Sequence, residues 1–124
     1  MTRYLISFDD GAMAHIPEEE MPAVGKAAHA VVQEAVNAGV WVFGGGLESQ
    51  RASVVAIDGM VTDGPYPETK EVIGGFAVVE VPSREEALEW AARFAAACRC
   101  AQEVRVLLPD PELDAMLREA GSRR

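Results

Sequence analysis

The spacing of apolar residues changes once in the first third of the chain, from that of a strand to that of a helix. Residues 3–8 form an apolar run that predicts a buried strand ending at Asp9-Asp10-Gly11. From Pro17 onward the apolar residues follow helical spacing, with Glu18–Glu20 in the predicted first turn, and Gly39 ends the predicted helix. The apolar face of this helix consists of Met21, Val24, Ala28, Val31, Val32 and Ala35.

The middle of the chain predicts a second strand and then a separate hairpin. Residues 40–43 are β-branched and aromatic, and Gly44–Gly46 after them predict a bulge or a close approach of two backbones. Residues 52–57 and 60–62 flank Asp58-Gly59, a dipeptide typical of type I′ hairpin turns.

A strand, a helix and a further strand are predicted in the last half of the chain. Gly75–Val81 alternates as a strand does and ends at Pro82. Ser83 and Glu86 have the spacing of a capping box, which predicts the start of a helix. The face of this helix that we expect in the core contains Leu88, Trp90, Ala91, Phe94, Ala95, Ala97 and Cys98. Residues 102–108 predict the last strand.

The order of these elements predicts an α+β fold with a ferredoxin-like antiparallel sheet and an extra hairpin. Asp110-Pro111 begins a C-terminal helix whose apolar stripe is Leu113, Met116, Leu117 and Ala120. Both longer helices then lie on one face of the sheet, and the other face stays uncovered. An uncovered apolar face favours a homodimer.

Length and charge narrow the classes of partner. The chain has 124 residues, of which 49% are apolar and 25% charged, so we interpret residues 1–124 as a single globular domain. Its net charge of -9 disfavours nucleic acid and anionic membranes as partners. Met1–Phe8 is too short for a signal sequence, and no run reaches the roughly 20 apolar residues of a membrane span. We therefore expect a cytoplasmic protein.

Neither the cysteines nor the glycines predict a cofactor. Cys98 and Cys100 are too close for an unstrained disulfide, so we expect reduced thiols that pack at a helix end. Two Cys and two widely separated His do not make a structural zinc site. Gly44–Gly46 lack the Lys-Ser/Thr of a phosphate loop and match no dinucleotide fingerprint. No metal and no cofactor are therefore predicted.

Residues 62–75 concentrate charge on a backbone bent by glycine and proline. Several segments resemble the YCII-related family, specifically its DGPF branch, over nearly the whole chain. They are Asp63-Gly64-Pro65-Tyr66, residues 68–71, Gly74-Gly75-Phe76, residues 85–91 and Gln102-Glu103-Val104-Arg105, with Tyr66 where the branch has Phe. The resemblance implies a ferredoxin-like fold that pairs into a dimeric α/β barrel.

The resemblance also implies a candidate acid–base site. Related proteins carry a His-Asp pair proposed to transfer protons, and His29 on the first helix is the residue that matches the His. Its partner is Asp63, or Asp9 or Asp10 at the end of the first strand, and sequence spacing does not decide between them. An Asp before Gly-Pro also commonly caps a turn, which is the structural alternative for Asp63.

Four further charged groups are candidates for ligand binding: Asp9, Glu68, Lys70 and Arg105. The guanidinium of Arg105 suits a substrate carboxylate. The alternative is a lattice of ion pairs that fixes the loop to a neighbouring strand. His15 is the second choice for a base and otherwise a loop residue.

Two functions are compatible with these features. The first is a small-molecule enzyme of the lyase or isomerase type that uses a His-Asp pair. The second is a non-catalytic ligand-binding or regulatory dimer, since the chain has no strong catalytic motif and the resemblance extends to DGPF proteins that are associated with sigma factors.

Overall fold

A computed structural model describes residues 1–48, 52–64 and 72–122. A four-stranded sheet carries two long helices, and a two-stranded hairpin and a C-terminal helix are added to it. The strands are β1 (Thr2–Asp9), β2 (Trp41–Gly46), β3 (Ala52–Val55), β4 (Val61–Gly64), β5 (Ile73–Val81) and β6 (Glu103–Val106). The helices are α1 (Met21–Asn37), α2 (Arg84–Cys98) and α3 (Pro111–Ser122), and a short 3-10 helix spans Glu18–Glu20. No helix in these ranges is long and apolar enough to cross a membrane.

The main sheet has the strand order β2-β5-β1-β6, and every neighbouring pair is antiparallel. This is the order of the split β-α-β plan, in which the first and third strands of the core motif lie at the centre. The α+β class and the antiparallel sheet predicted from the sequence are confirmed. The hairpin β3–β4 forms a sheet of its own.

The core lies between the two long helices and one face of the sheet, which we call the covered face. Register explains which residues reach it, because Tyr4 pairs with Val79 and Ile6 with Ala77, and paired residues point to the same face. The buried cluster comprises Tyr4, Ile6, Val31, Ala35, Ala77, Val79, Val81, Ala87, Trp90, Ala91 and Phe94. Burial of the apolar side chains in this cluster is the main contribution to the stability of the fold.

The opposite face, which we call the open face, carries apolar side chains without a covering layer. Leu5, Phe76 and Val78 alternate with the core residues of β1 and β5 and are only half-buried. The Phe43 side chain is 64% exposed and contacts the ring of Phe76 at a centroid distance of 6.0 Å. The predicted open face is therefore present in the subunit.

The turn of the hairpin differs from the prediction. Gly59 has a φ of 89°, but Asp58 does not have a positive φ, which a type I′ turn requires at both central positions. Instead, the Ala56 N–H donates to the Met60 carbonyl, which encloses a three-residue loop, and the Met60 N–H donates to Asp58 Oδ1. The type I′ assignment was wrong because the Asp58 side chain supports a longer loop in which only Gly59 is left-handed.

The helix ends match the predictions in part, because Glu18–Glu20, expected in the first turn of the first helix, form a separate 3-10 helix before α1. The Ser83 Oγ accepts a hydrogen bond from the Glu86 N–H at 3.2 Å, which confirms Ser83 as the N-cap of α2. Leu88, expected in the core, is 45% exposed, because α2 turns Ala87, Trp90 and Phe94 toward the sheet. On α3 the predicted stripe residues Leu113, Met116 and Leu117 are all exposed.

Candidate functional site

A cavity of about 350 Å³ lies between α1, the end of α2 and the covered face of the sheet. Its volume falls in the range of small-molecule sites. Aromatic, aliphatic and sulfur-containing side chains make up most of its wall. The wall also includes Phe8, His29, Gly44, Gly46, Cys98 and Gln102.

Small residues leave this space open beside the core. Gly44 belongs to the close approach predicted for the glycine run, because a Cβ there would lie 2.4 Å from the Phe76 carbonyl oxygen. Gly46 pairs with Gly75, as does Phe8, so all three positions face α1. A Cβ at Gly46 would meet no atom within 4 Å. The glycine run therefore serves two purposes, since it packs β2 against β5 and leaves the cavity unfilled at its end.

His29 lies at the rim of the cavity. It follows Gly25 by one turn of α1 and precedes Val32, and all three residues line the space. The imidazole is exposed and makes no hydrogen bond or ion pair with any residue in the described ranges. Solvent therefore reaches an imidazole at the edge of an apolar space.

The structure does not bring the predicted carboxylate partners to the cavity. Asp63 is exposed on β4, where it pairs with Ser53 in the hairpin. Asp9 is exposed at the bulge that ends β1, and the Asp10 N–H donates to the Val72 carbonyl. No Asp or Glu of the described ranges lines the cavity. The pairing of His29 with one of these carboxylates stays a prediction.

The other predicted binding residues are dispersed. Glu68 and Lys70 lie outside the described residues. Arg105 lies on β6 opposite Leu5, on the open face, and its Nε is 2.5 Å from the Glu103 carboxylate. His15 is exposed in the connection between β1 and α1 and does not line the cavity. Arg105 thus belongs to an exposed ion pair and not to the cavity wall.

The two thiols lie where the sequence placed them, at the end of α2. Cys98 is buried, lines the cavity and is free, and Cys100 is half-buried and free. Burial is the main cause that raises the pKa of Cys98, with a smaller contribution from Cys100. Burial also raises the pKa of Cys100, and a hydrogen bond from Gln102 opposes it. Both shifts favour the protonated thiol, which is a weaker nucleophile than the thiolate.

Gln102 is a lining residue that sequence reasoning did not single out. Arg99, with a φ of 58°, is the only non-glycine residue of the described ranges in the left-handed region, and it reverses the chain after α2. This reversal returns Gln102 to the cavity, where its Nε2 donates to the Cys100 carbonyl at 3.4 Å. An ion pair of 2.6 Å between Arg99 and Glu20 joins the reversal to the start of α1.

A metal site is not formed by the residues that the structure describes. No three of their His, Cys, Asp or Glu side chains are close enough to hold an ion. The polar side chains of the cavity wall are therefore one imidazole, one amide and the thiol of Cys98.

One solved structure of a known protein supports the fold. A search of curated proteins gives no match. Among solved structures, the chain is similar to 5-chloro-2-hydroxyhydroquinone dehydrochlorinase from Burkholderia phenoliruptrix AC1100, determined in complex with 2,5-dihydroxybenzoquinone. The TM-score is 0.50 and the sequence identity 16%, over 89% of this chain and 97% of that chain. A likeness at this identity shows a shared fold and no more.

The family of the chain is shown by a match to a family model. The model of the YCII-related domain matches residues 3–108, which run from β1 through β6 and leave out only α3 and the termini. The matched range includes α1 with His29 and the connection that carries Gln102. The chain therefore belongs to the YCII-related domain family.

Proposed function

We propose that this protein binds small, largely apolar, ring-containing molecules in the cavity and that His29 transfers a proton to or from them. The observation that carries the proposal is the position of His29 at the rim of an apolar cavity of about 350 Å³. It is the one imidazole among the described residues that line the cavity, and an imidazole can both accept and donate a proton. Its exposure lets the imidazole exchange protons with solvent between turnovers.

The reaction class that fits this wall is elimination or isomerisation. A neutral imidazole removes a proton from a bound C–H or O–H group, and the released electron pair forms a double bond as a leaving group departs or as the bond shifts. The imidazolium then returns its proton to the product or to solvent. General acid–base catalysis of this kind contributes about 10²- to 10⁴-fold. Where the apolar wall excludes water, the interaction between the imidazole and the charge that develops on the reacting molecule is stronger than in water.

A carboxylate that orients His29 remains part of this proposal, with Asp63 as its candidate. The pairing is supported by the family resemblance alone, because Asp63 lies on the hairpin and not at the cavity. Assignment to the DGPF branch likewise rests on the sequence, on Asp63-Gly64 and Gly74-Gly75 within the described ranges.

A second function is favoured by one specific observation. No described carboxylate lines the cavity, so His29 lacks a group within those ranges that would hold its tautomer and orientation. A cavity without an oriented base suits a non-catalytic module that binds a ligand and transmits its presence through a dimer.

We also propose that two subunits pair through the open face to form a dimeric α/β barrel. The exposed Phe43 ring and the half-buried Leu5, Phe76 and Val78 supply an apolar surface of the kind that interfaces cover. Sedimentation of the purified protein at micromolar concentration should give a dimer, and a monomer would contradict the proposal.

The catalytic proposal is tested with two histidine variants. His29→Gln removes the base, and His15→Gln is the matched control because His15 is exposed and outside the cavity. Chlorinated and hydroxylated benzenes, beginning with 5-chloro-2-hydroxyhydroquinone, are incubated with each protein, and products are measured by mass spectrometry. We expect the turnover of His29→Gln to be lower than that of the wild-type protein by about 10²-fold or more. The turnover of His15→Gln and the Tm of both variants should be unchanged.

Two other outcomes separate the alternatives. Binding of ring compounds without turnover by the wild-type protein would favour the binding module. Turnover that survives in His29→Gln would remove His29 from the mechanism. Asp63→Asn tests the proposed partner, because loss of activity with His29 intact is expected only if that carboxylate orients the imidazole.

A further inference from the structure

We propose that the Gln102 side-chain oxygen selects ligands that carry a hydroxyl or N–H group on the ring. This inference rests on the proposed function, because it concerns a ligand bound in the same cavity. It adds a hydrogen-bond acceptor at the α2 end of a site whose other polar group is His29 on α1. Gln102 would thus determine which rings bind.

The orientation of the amide follows from its neighbour. A backbone carbonyl only accepts hydrogen bonds, so the nitrogen of the Gln102 amide must face the Cys100 carbonyl, which lies 3.4 Å from Nε2. The Cys100 sulfur lies 3.6 Å from the same nitrogen. These two contacts hold the amide group and fix its oxygen on the opposite side. A flipped amide would place two acceptors against each other.

The oxygen itself is available. Gln102 Oε1 accepts no hydrogen bond from any residue of the described ranges. In the same ranges, no buried side-chain nitrogen or oxygen lacks a partner. The oxygen of the half-buried Gln102 must therefore remain accessible, although the residue lines an otherwise apolar wall.

The consequence for a ligand is selectivity. A ring that fills the cavity removes water from the amide oxygen. If the ring carries no donor, the oxygen is left without a partner, whereas a hydroxyl or N–H group restores the hydrogen bond. Sites built around such a polar group discriminate against analogues that lack the matching group.

The test compares two probes in two variants. The probes are 2-naphthol, whose hydroxyl group is a hydrogen-bond donor, and 2-methoxynaphthalene, in which a methyl group replaces the hydroxyl hydrogen. Gln102→Met keeps the length of the side chain and removes the acceptor. Gln33→Met is the matched control, because Gln33 lies on α1 outside the cavity and its amide bonds to Asn37 at 2.9 Å. Dissociation constants are measured by NMR titration of each folded protein.

We expect the ratio of the two dissociation constants to change by about fivefold in Gln102→Met, because 2-naphthol loses its acceptor and 2-methoxynaphthalene no longer leaves an acceptor unpaired. Gln33→Met should keep the wild-type ratio. An unchanged ratio in Gln102→Met, with both probes still bound, overturns this inference and leaves the cavity proposal intact. Absence of binding of either probe to the wild-type protein overturns the cavity proposal, and this inference with it.

A second measurement does not require a variant. In the wild-type protein, the side-chain amide signals of Gln102 should shift on addition of 2-naphthol more than on addition of 2-methoxynaphthalene. Equal shifts with the two probes would contradict the hydrogen bond.

Discussion

The two faces of one sheet have similar apolar residues and very different surroundings. Ile6 is 1% exposed and Val79 is 0% exposed on the covered face, whereas their neighbours Leu5 and Val78 on the open face are only half-buried. Strand alternation supplies both sets, and the helices cover only one. A single subunit therefore completes only one of its two apolar layers.

The difference extends beyond the main sheet. The hairpin exposes Ile57 at 110%, and α3 exposes Met116 and Leu117. Exposed apolar side chains are ordinary when they are scattered, but here they occur on the two elements added to the ferredoxin-like core. The covered face, with its cavity, is thus the layer that a single subunit completes. The open face is the part that we propose another subunit covers.

The largest expected effect comes from truncating the same residue type in the two regions. Ile6→Ala should lower the free energy of unfolding by about 2–5 kcal/mol, because it leaves a hole in a packed cluster. Ile57→Ala in the hairpin should change it by less than about 0.5 kcal/mol in a monomer. Urea unfolding followed by circular dichroism measures both variants. A cost of Ile57→Ala close to that of Ile6→Ala would show that the hairpin is buried in solution.

An intermediate effect is expected at the open face. Phe43→Asp places a charge in the proposed interface and should weaken the dimer by about thirtyfold or more, which sedimentation across a range of concentrations detects. Ala92→Asp on the exposed side of α2 is the matched control and should leave the dimer unchanged. Equal dimerisation of the two variants would place the interface elsewhere.

The smallest effect is a pH dependence in the covered region. Because burial raises the pKa of Cys98 in the folded state, the unfolded chain loses the thiol proton first as pH rises. The contribution of the Cys98 thiol to the free energy of unfolding is fully present below the pKa of a thiol in the unfolded chain, about 8.5. It then falls with rising pH toward the folded pKa, by at most about 1.4 kcal/mol per pH unit.

Urea midpoints between pH 7 and pH 10 should therefore decline less steeply in Cys98→Ala than in the wild-type protein. Cys100→Ala should alter the slope less, because Cys100 is only half-buried. An identical slope in wild type and Cys98→Ala would mean that the thiol is solvated, and that the cavity wall is more open than the structure shows.

Most of the fold could be predicted because its signals are local. The capping box at Ser83 needs only the residues of one helical turn, and β1 is marked by its own apolar run and the acidic pair after it. The predicted burial was wrong where the local pattern allowed more than one rotation of a helix and only packing against the sheet fixed one of them. Leu88 lies beside the core face of α2, and rotation of the helix against the sheet decided that Ala87 would be buried in its place.

The candidate site was predictable only in part. His29 was named from its place on the first helix, and it does line the cavity. Its proposed partner Asp63 was named from charge and resemblance, and it lies on a hairpin whose position no local pattern specifies. Gln102 carried no signal, because its role depends on the left-handed turn at Arg99 and on an amide contact across that turn.

The sequence by itself determined the elements and their order, since helix and strand periods, caps and turn residues act over a few neighbouring positions. From these follow the antiparallel α+β plan and the presence of one uncovered apolar face. Tertiary structure alone decided that His29, Cys98 and Gln102 surround one cavity while Asp63 and Arg105 lie outside it. The physical reason is that a cavity is defined by side chains from segments far apart in the chain, and their meeting depends on helix rotation and strand register.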